Sequence, residues 1–139
     1  MYISTRGKND NFYGAEAIKT GIASDGGLFV PMIVPKVSAE WLAELINVDY
    51  GKRAFNILHL FLPDYSDDEL RLCIESAYTS AKFDDAEIAP LVPIANNKFV
   101  LELWHGPTSA FKDMALQILP HLLSTALQKT HESKEIVIL

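Results

Sequence analysis

Apolar positions along this chain fall into two rhythms. Over residues 66–81, Leu70, Cys73, Ile74, Ala77, Tyr78 and Ala81 recur at i, i+3, i+4 and i+7, which gathers them on one face of a helix. Ser66 and Glu69 stand at its start with capping-box spacing, each side chain bonding the other residue's backbone N–H. Residues 14–23, GAEAIKTGIA, predict a short helix with Ala17, Ile18 and Ile22 on one side. Ser38 is the expected N-cap of SAEWLAELI, with Glu40 near the positive end of the helix dipole. A further helix is predicted over residues 52–62, stopped by Pro63. The helical stripe at 66–81 makes Cys73 a small core hydrophobe rather than a reactive thiol.

The second rhythm is that of strands. Residues 2–5 and 28–30 predict short extended segments, separated by a polar RGKNDN loop, the first helix and the Gly26-Gly27 break. Pro31 and Pro35 keep the following residues out of a helix. After an acidic connection, FDDAEIAP, the run LVPIANNKFVLELW reads as two strands around an Asn96-Asn97 turn. His105-Gly106-Pro107 breaks the second of these, and a long helix is predicted from about residue 109 to 129, interrupted or bent at Pro120. The closing EIVIL has the composition of a strand buried on both faces of a parallel sheet. Strand, helix and strand make a βαβ-like unit, whose sheet needs further strands to cover its edges. The expectation is an N-terminal fragment of a longer α/β protein.

Composition narrows the function classes. The 139 residues carry 18 acidic against 12 basic side chains, a net charge of −6, and 49% are hydrophobic. Such a chain buries a core, and its acidic balance argues against a surface for nucleic acid or an anionic membrane. A single cysteine excludes an internal disulfide framework and a cysteine-rich zinc site, and fits a reducing cytoplasm. No signal peptide is visible at the N-terminus, and the longest uncharged stretch, residues 114–128, is too short to span a bilayer. His59, His105, His121 and His131 show no metal-ligand spacing, so no metal is expected. The DGG at residues 25–27 reads as a turn rather than a phosphate cradle.

Lys112 stands out. On a continuous helical wheel it falls within the apolar arc of Phe111, Met114, Ala115, Ile118, Leu119, Leu122 and Leu123, while Asp113, Gln117, His121 and Ser124 gather opposite. An ammonium there either snorkels to water or, if buried at the positive helix end, loses its proton more readily. The neutral amine would be a nucleophile able to form a Schiff base with a carbonyl cofactor. Position alone leaves both open.

The surrounding spelling adds a resemblance. ELWHGPTSAFKDMALQ resembles the pyridoxal-phosphate attachment region of the serine/threonine dehydratase-like, fold-type II enzymes, and in particular the threonine synthase family, in which a strand runs into HGPT-x-AFKD and a helix. YISTRG and GIASDGGLFVP resemble the N-terminal domain of the microbial members. The resemblance implies conversion of O-phospho-L-homoserine and water to L-threonine and phosphate by a pyridoxal 5'-phosphate-dependent carbon-oxygen lyase. It assigns cofactor attachment and proton transfer to Lys112 and packing beside the cofactor to Phe111. Thr108 and Ser109 would cap the helix or reach substrate, Asp113 would be structural, and His105 would shape the turn. The family's phosphate-binding loop follows the strand that ends here at Leu139, as do the partner of the pyridine nitrogen and most substrate-phosphate contacts. The chain alone is therefore expected to be catalytically silent, with the last helix's apolar face left open to self-association. The implied fold class is α/β: a small, mostly helical N-terminal domain with short strands over residues 1–85, then the beginning of the cofactor-binding α/β domain over 90–139. Alternatives are a threonine dehydratase or cysteine synthase of the same group, and a non-enzymatic interaction module.

Overall fold

Ser66 and Glu69 do form a capping box: the Ser66 amide donates to Glu69 Oε2 at 2.7 Å, and the Glu69 amide to Ser66 Oγ at 3.3 Å. They open one of six helices among the described residues of the computed structural model, which are 1–7 and 11–137. In chain order the elements are β1 (Tyr2–Ser4), α1 (Gly14–Thr20), β2 (Phe29–Pro31), α2 (Ala39–Glu44), α3 (Tyr50–Phe61), α4 (Asp67–Ala77), β3 (Leu91–Ala95), β4 (Lys98–Leu101), α5 (Asp113–Leu116) and α6 (Leu119–Lys129). This mixture of helices and short strands is the α/β class expected. The RGKNDN loop falls partly on residues 8–10, outside the described residues.

Two antiparallel pairs make up the sheet structure of the described residues. β1 pairs with β2, Ile3 opposite Val30, and β3 pairs with β4, Val92 opposite Val100. Asn97 takes the left-handed conformation, φ 56°, that the tight turn between β3 and β4 requires. A register irregularity lies between Pro93 and Ala95, where proline has no N–H to give a ladder.

The core lies between helices. Ala15 from α1, Leu70, Cys73, Ile74 and Ala77 from α4, and Leu122 and Ala126 from α6 pack with Leu62, Tyr65 and Ile118, flanked by Ala54, Phe55 and Leu58 of α3. The core thus draws on both sides of residues 85–90. Its polar seams are satisfied: the Tyr65 hydroxyl donates to Leu122 O at 2.9 Å, and Asp64 accepts from the amides of Gly14 and Ala15, closing the N-terminus of α1 from outside the helix. Gly14 makes that approach feasible, since a Cβ there would lie 2.7 Å from Asp64 Oδ1. Cys73 is buried with its sulfur 3.6 Å from Thr125 Oγ1, and burial raises the thiol pKa, as suits an inert core residue.

Several local expectations are corrected. Ile22 is exposed because Gly21, at φ 72°, ends α1 and turns the chain out of helical phase. Ala81 lies beyond the end of α4 and is exposed. The long helix over 109–129 is interrupted near Pro120, as expected, but starts later than residue 109. Ser109 sits at φ 54°, residues 109–112 form a turn, and α5 starts only at Asp113. The break before α6 precedes Pro120, which has no N–H for the Leu116 carbonyl. The apolar side of α6 is covered in part: Leu122 and Ala126 are buried against α1 and α4, while Leu119 stays exposed. Residues 135–137 of EIVIL form no strand, and none of the described strands pairs with them. The last two residues of that run lie outside the described residues.

Candidate active site

The segment from His105 to Asp113 is built around one buried carboxylate. Asp113 is fully buried, and it accepts from the Thr108 amide at 2.8 Å and from the Thr108 hydroxyl at 2.9 and 3.0 Å. Gly106 lets this carboxylate in: a Cβ at position 106 would stand 2.5 Å from Asp113 Cβ and 2.8 Å from its Oδ2. The Ser109 amide closes the turn on the Gly106 carbonyl at 3.0 Å, and the Asp113 amide bonds Ala110 O at 3.0 Å. Lys112 is the residue before Asp113, so the lock around the carboxylate fixes its backbone. Its carbonyl accepts from Ala115 and Leu116, which joins the turn to the first turn of α5.

Lys112 is exposed, as in the snorkelling alternative that its place on the wheel left open. Lys112 is the N-cap of α5 and lies outside its helical turns, and its wheel neighbours Phe111, Ala115 and Leu119 are exposed as well. The amine is therefore hydrated and lies over the Phe111 ring, 4.5 Å from its centroid. Phe111 is itself 63% exposed, so the two side chains present an ammonium beside an open aromatic face. Thr108 and Ser109 are exposed too, but the Thr108 hydroxyl hydrogen is committed to Asp113. All four sequence candidates thus lie in one five-residue stretch, with Lys112 and Phe111 in contact.

Three features of this region escaped the sequence. Asp113 appeared on the polar side of the wheel but is buried; its signal was the Thr108-to-Asp113 spacing just after Gly106. The Tyr78 hydroxyl donates to Met114 O at 2.7 Å and ties α5 to the end of α4, while burial raises that phenol's pKa. Third, the His105 ring is held between two carboxylates, Nδ1 at 2.6 Å from Asp84 and Nε2 at 2.8 Å from Glu102. These bonds, that to Glu102 first, raise its pKa. A cavity of about 860 Å³ lies elsewhere, lined mainly by apolar residues of α2 and α3 with Ala89, Pro90 and Leu91. Among the described residues no group of histidines, cysteines and carboxylates could hold a metal ion, and no helix is long and apolar enough to cross a membrane.

Chemically, a primary amine on a rigid turn with an adjacent aromatic plate suits covalent attachment of a ring-bearing aldehyde. Comparison with known proteins bears on which one. Residues 1–78 match the family described as threonine synthase N terminus. A threonine synthase of Schizosaccharomyces pombe is 38% identical over 135 residues, covering 96% of this chain and 26% of that protein. A threonine synthase of Brucella melitensis, solved with pyridoxal phosphate bound, superposes with TM-score 0.87 at 35% identity, covering 94% of this chain and 28% of that one. The yeast enzyme superposes at 0.83 with 34% identity, covering 96% and 28%. The chain thus spans between a quarter and three tenths of the length of these relatives.

Proposed function

The chain belongs to the family of the threonine synthase N terminus, and from that premise we propose that it supplies the cofactor-attachment segment of a pyridoxal-phosphate-dependent carbon-oxygen lyase. The reaction is the conversion of O-phospho-L-homoserine and water to L-threonine and phosphate, in the cytoplasm. The observation that carries this reading is the exposed Lys112 amine, seated beside Phe111 on a turn locked by the buried Asp113.

The cofactor, when bound, supplies the electron sink that makes proton removal and phosphate loss feasible. This chain's residues supply the rest of what is assigned to it. Lys112 Nζ would hold the cofactor covalently through its aldehyde carbon and would carry a proton to and from substrate carbon. Proton transfer demands a fixed amine, and the Asp113–Thr108 bonds provide the fixed backbone beneath it. Phe111 would pack beside the cofactor and help to exclude water there. Of the two candidate substrate contacts, Ser109 is the better placed to donate, because Thr108 already gives its hydroxyl hydrogen to Asp113. Residues 1–85 serve as a supporting N-terminal part and residues 90–139 as the opening of the cofactor domain, the two sharing one hydrophobic core through α6. The 139 residues alone attach cofactor without turning over substrate.

The test is to add pyridoxal phosphate to the purified chain, reduce with borohydride and map the modified peptides. Label confined to Lys112 is expected; label spread over the surface lysines would refute a pre-organised attachment site. Activity of a complete enzyme carrying this segment on phosphohomoserine, rather than on free threonine, separates the proposed lyase from a dehydratase.

A further inference from the structure

His105 immediately precedes Gly106, the residue whose missing side chain admits the Asp113 carboxylate. Its carbonyl accepts from the Asp84 amide at 3.1 Å, and its ring bonds the side chains of Asp84 and Glu102. Three separate stretches therefore meet at one imidazole: the acidic connection after α4, the end of the β3–β4 hairpin, and the turn that carries Lys112. The ring is also stacked on Trp104, with centroids 5.8 Å apart.

We propose that His105 is the positioning residue of the Lys112 turn, its imidazolium clasping Asp84 and Glu102 so that Gly106 and the Asp113 lock are held in register. The chemistry favours the cation. An imidazolium donates from both nitrogens, whereas the neutral ring has one donor and one lone pair, which would then face a carboxylate. The charged groups facing the ring are Glu102 on its own segment and Asp84 and Asp85 from the connection, all anionic. Glu102 is the main partner, since its side chain is 21% exposed against 80% for Asp84, whose attraction water screens.

The direction of the pH effect follows. Because the folded pKa lies above the unfolded value, the clasp contributes fully below about pH 6.5 and is lost as pH rises through the raised folded value. Losing one ring bond frees the His105–Gly106 backbone, and with it the seat of Asp113 and the placement of Lys112. The link to Lys112 chemistry rests on the proposed attachment role; the clasp itself stands on the hydrogen-bond geometry.

The experiment is a pH titration of the isotopically labelled chain by NMR, following the His105 ring and the backbone amides of Gly106, Thr108 and Asp113. A single shared midpoint above the ordinary histidine value of about 6.5 is expected. Glu102→Gln, which keeps the shape and removes the charge, should bring that midpoint down and shrink the amide shifts. An ordinary midpoint in the wild-type chain, or amides that do not follow the ring, would overturn the proposal, whether or not the variant folds. Reductive labelling with pyridoxal phosphate across the same pH range supplies the second readout: the wild-type yield at Lys112, relative to Glu102→Gln, should fall through the midpoint. Absence of Lys112 labelling at every pH would refute the attachment role, while the ring and amide titration would still decide the clasp.

Discussion

The helical body and the segment running from the β3–β4 hairpin to α5 are stabilised in opposite ways. In the body, α1, α3, α4 and α6 surround Leu70, Ile74, Ala77 and Ala126, and apolar burial supplies the stability. In the hairpin and the Lys112 turn, Leu91, Ile94, Phe99, Leu101, Trp104 and Phe111 are all exposed, and the local order comes from polar bonds around Asp113 and His105. Hydrogen bonds and ion pairs fix geometry with little net stability, whereas apolar packing gives stability with less control over a single atom. A catalytic amine needs control of a single atom. That the candidate site sits in the polar-bonded region is therefore consistent with its proposed work.

The sharpest way to break this comparison is to truncate one leucine in each region. Leu70→Ala empties a fully buried site and should cost about 2–5 kcal/mol in urea-induced unfolding. Leu101→Ala, at 53% exposure, should cost far less than that. Equal losses would show that the hairpin is as deeply packed as the body. Second in size is Asp113→Ala, which strands the Thr108 amide and hydroxyl and opens a small void beside Gly106. A cost of about 1–3 kcal/mol is expected, with label at Lys112 falling more than stability alone would require. Label that persists undiminished would mean that the lock does not position the amine.

How far each region was legible in the sequence follows the same divide. The body follows from local rules: Ser66 and Glu69 announce α4, its stripe names Leu70, Cys73, Ile74 and Ala77 as core, and Ser38 caps α2 through the Trp41 amide. Likewise Asn96-Asn97 announces the hairpin turn. The wheel singled out Lys112, spelling gave it a role and added Phe111, Thr108 and Ser109, and periodicity misled at Asp113, which it put on the polar side. A wheel carries no information about the turn before that residue, where the Thr108 amide and hydroxyl bond the carboxylate. The long-range partners were out of reach for a different reason. Nothing in the sequence pairs Asp84 with His105 or Tyr78 with Met114 until the chain is folded. The parallel strand expected at residues 135–139 required a neighbour that the described residues do not provide.

A smaller effect is expected at the helix cap. Ser66→Ala removes the acceptor for the Glu69 amide and should lower the stability of the body by about 1 kcal/mol. The turn around Lys112, which shares no hydrogen bond with that cap, should keep its labelling. Loss of both together would mean that the two regions unfold as one unit and that the contrast between them is not energetic.

The smallest effect on stability is predicted for the residue with the largest proposed role. Lys112→Ala removes an exposed ammonium and its contact with the Phe111 ring, leaving Asp113, Thr108 and Gly106 in place. Surface substitutions of this kind change stability by no more than about 0.5 kcal/mol, so the urea midpoint should scarcely move. Reductive labelling by pyridoxal phosphate should, in contrast, disappear from this peptide. The body needs the packing and makes no use of the lysine, while the turn spends its polar bonds on holding an amine that contributes nothing to the fold. A marked loss of stability would reverse this logic, making Lys112 a structural cation held for Phe111, and its exposure on a locked turn would then have no chemical purpose.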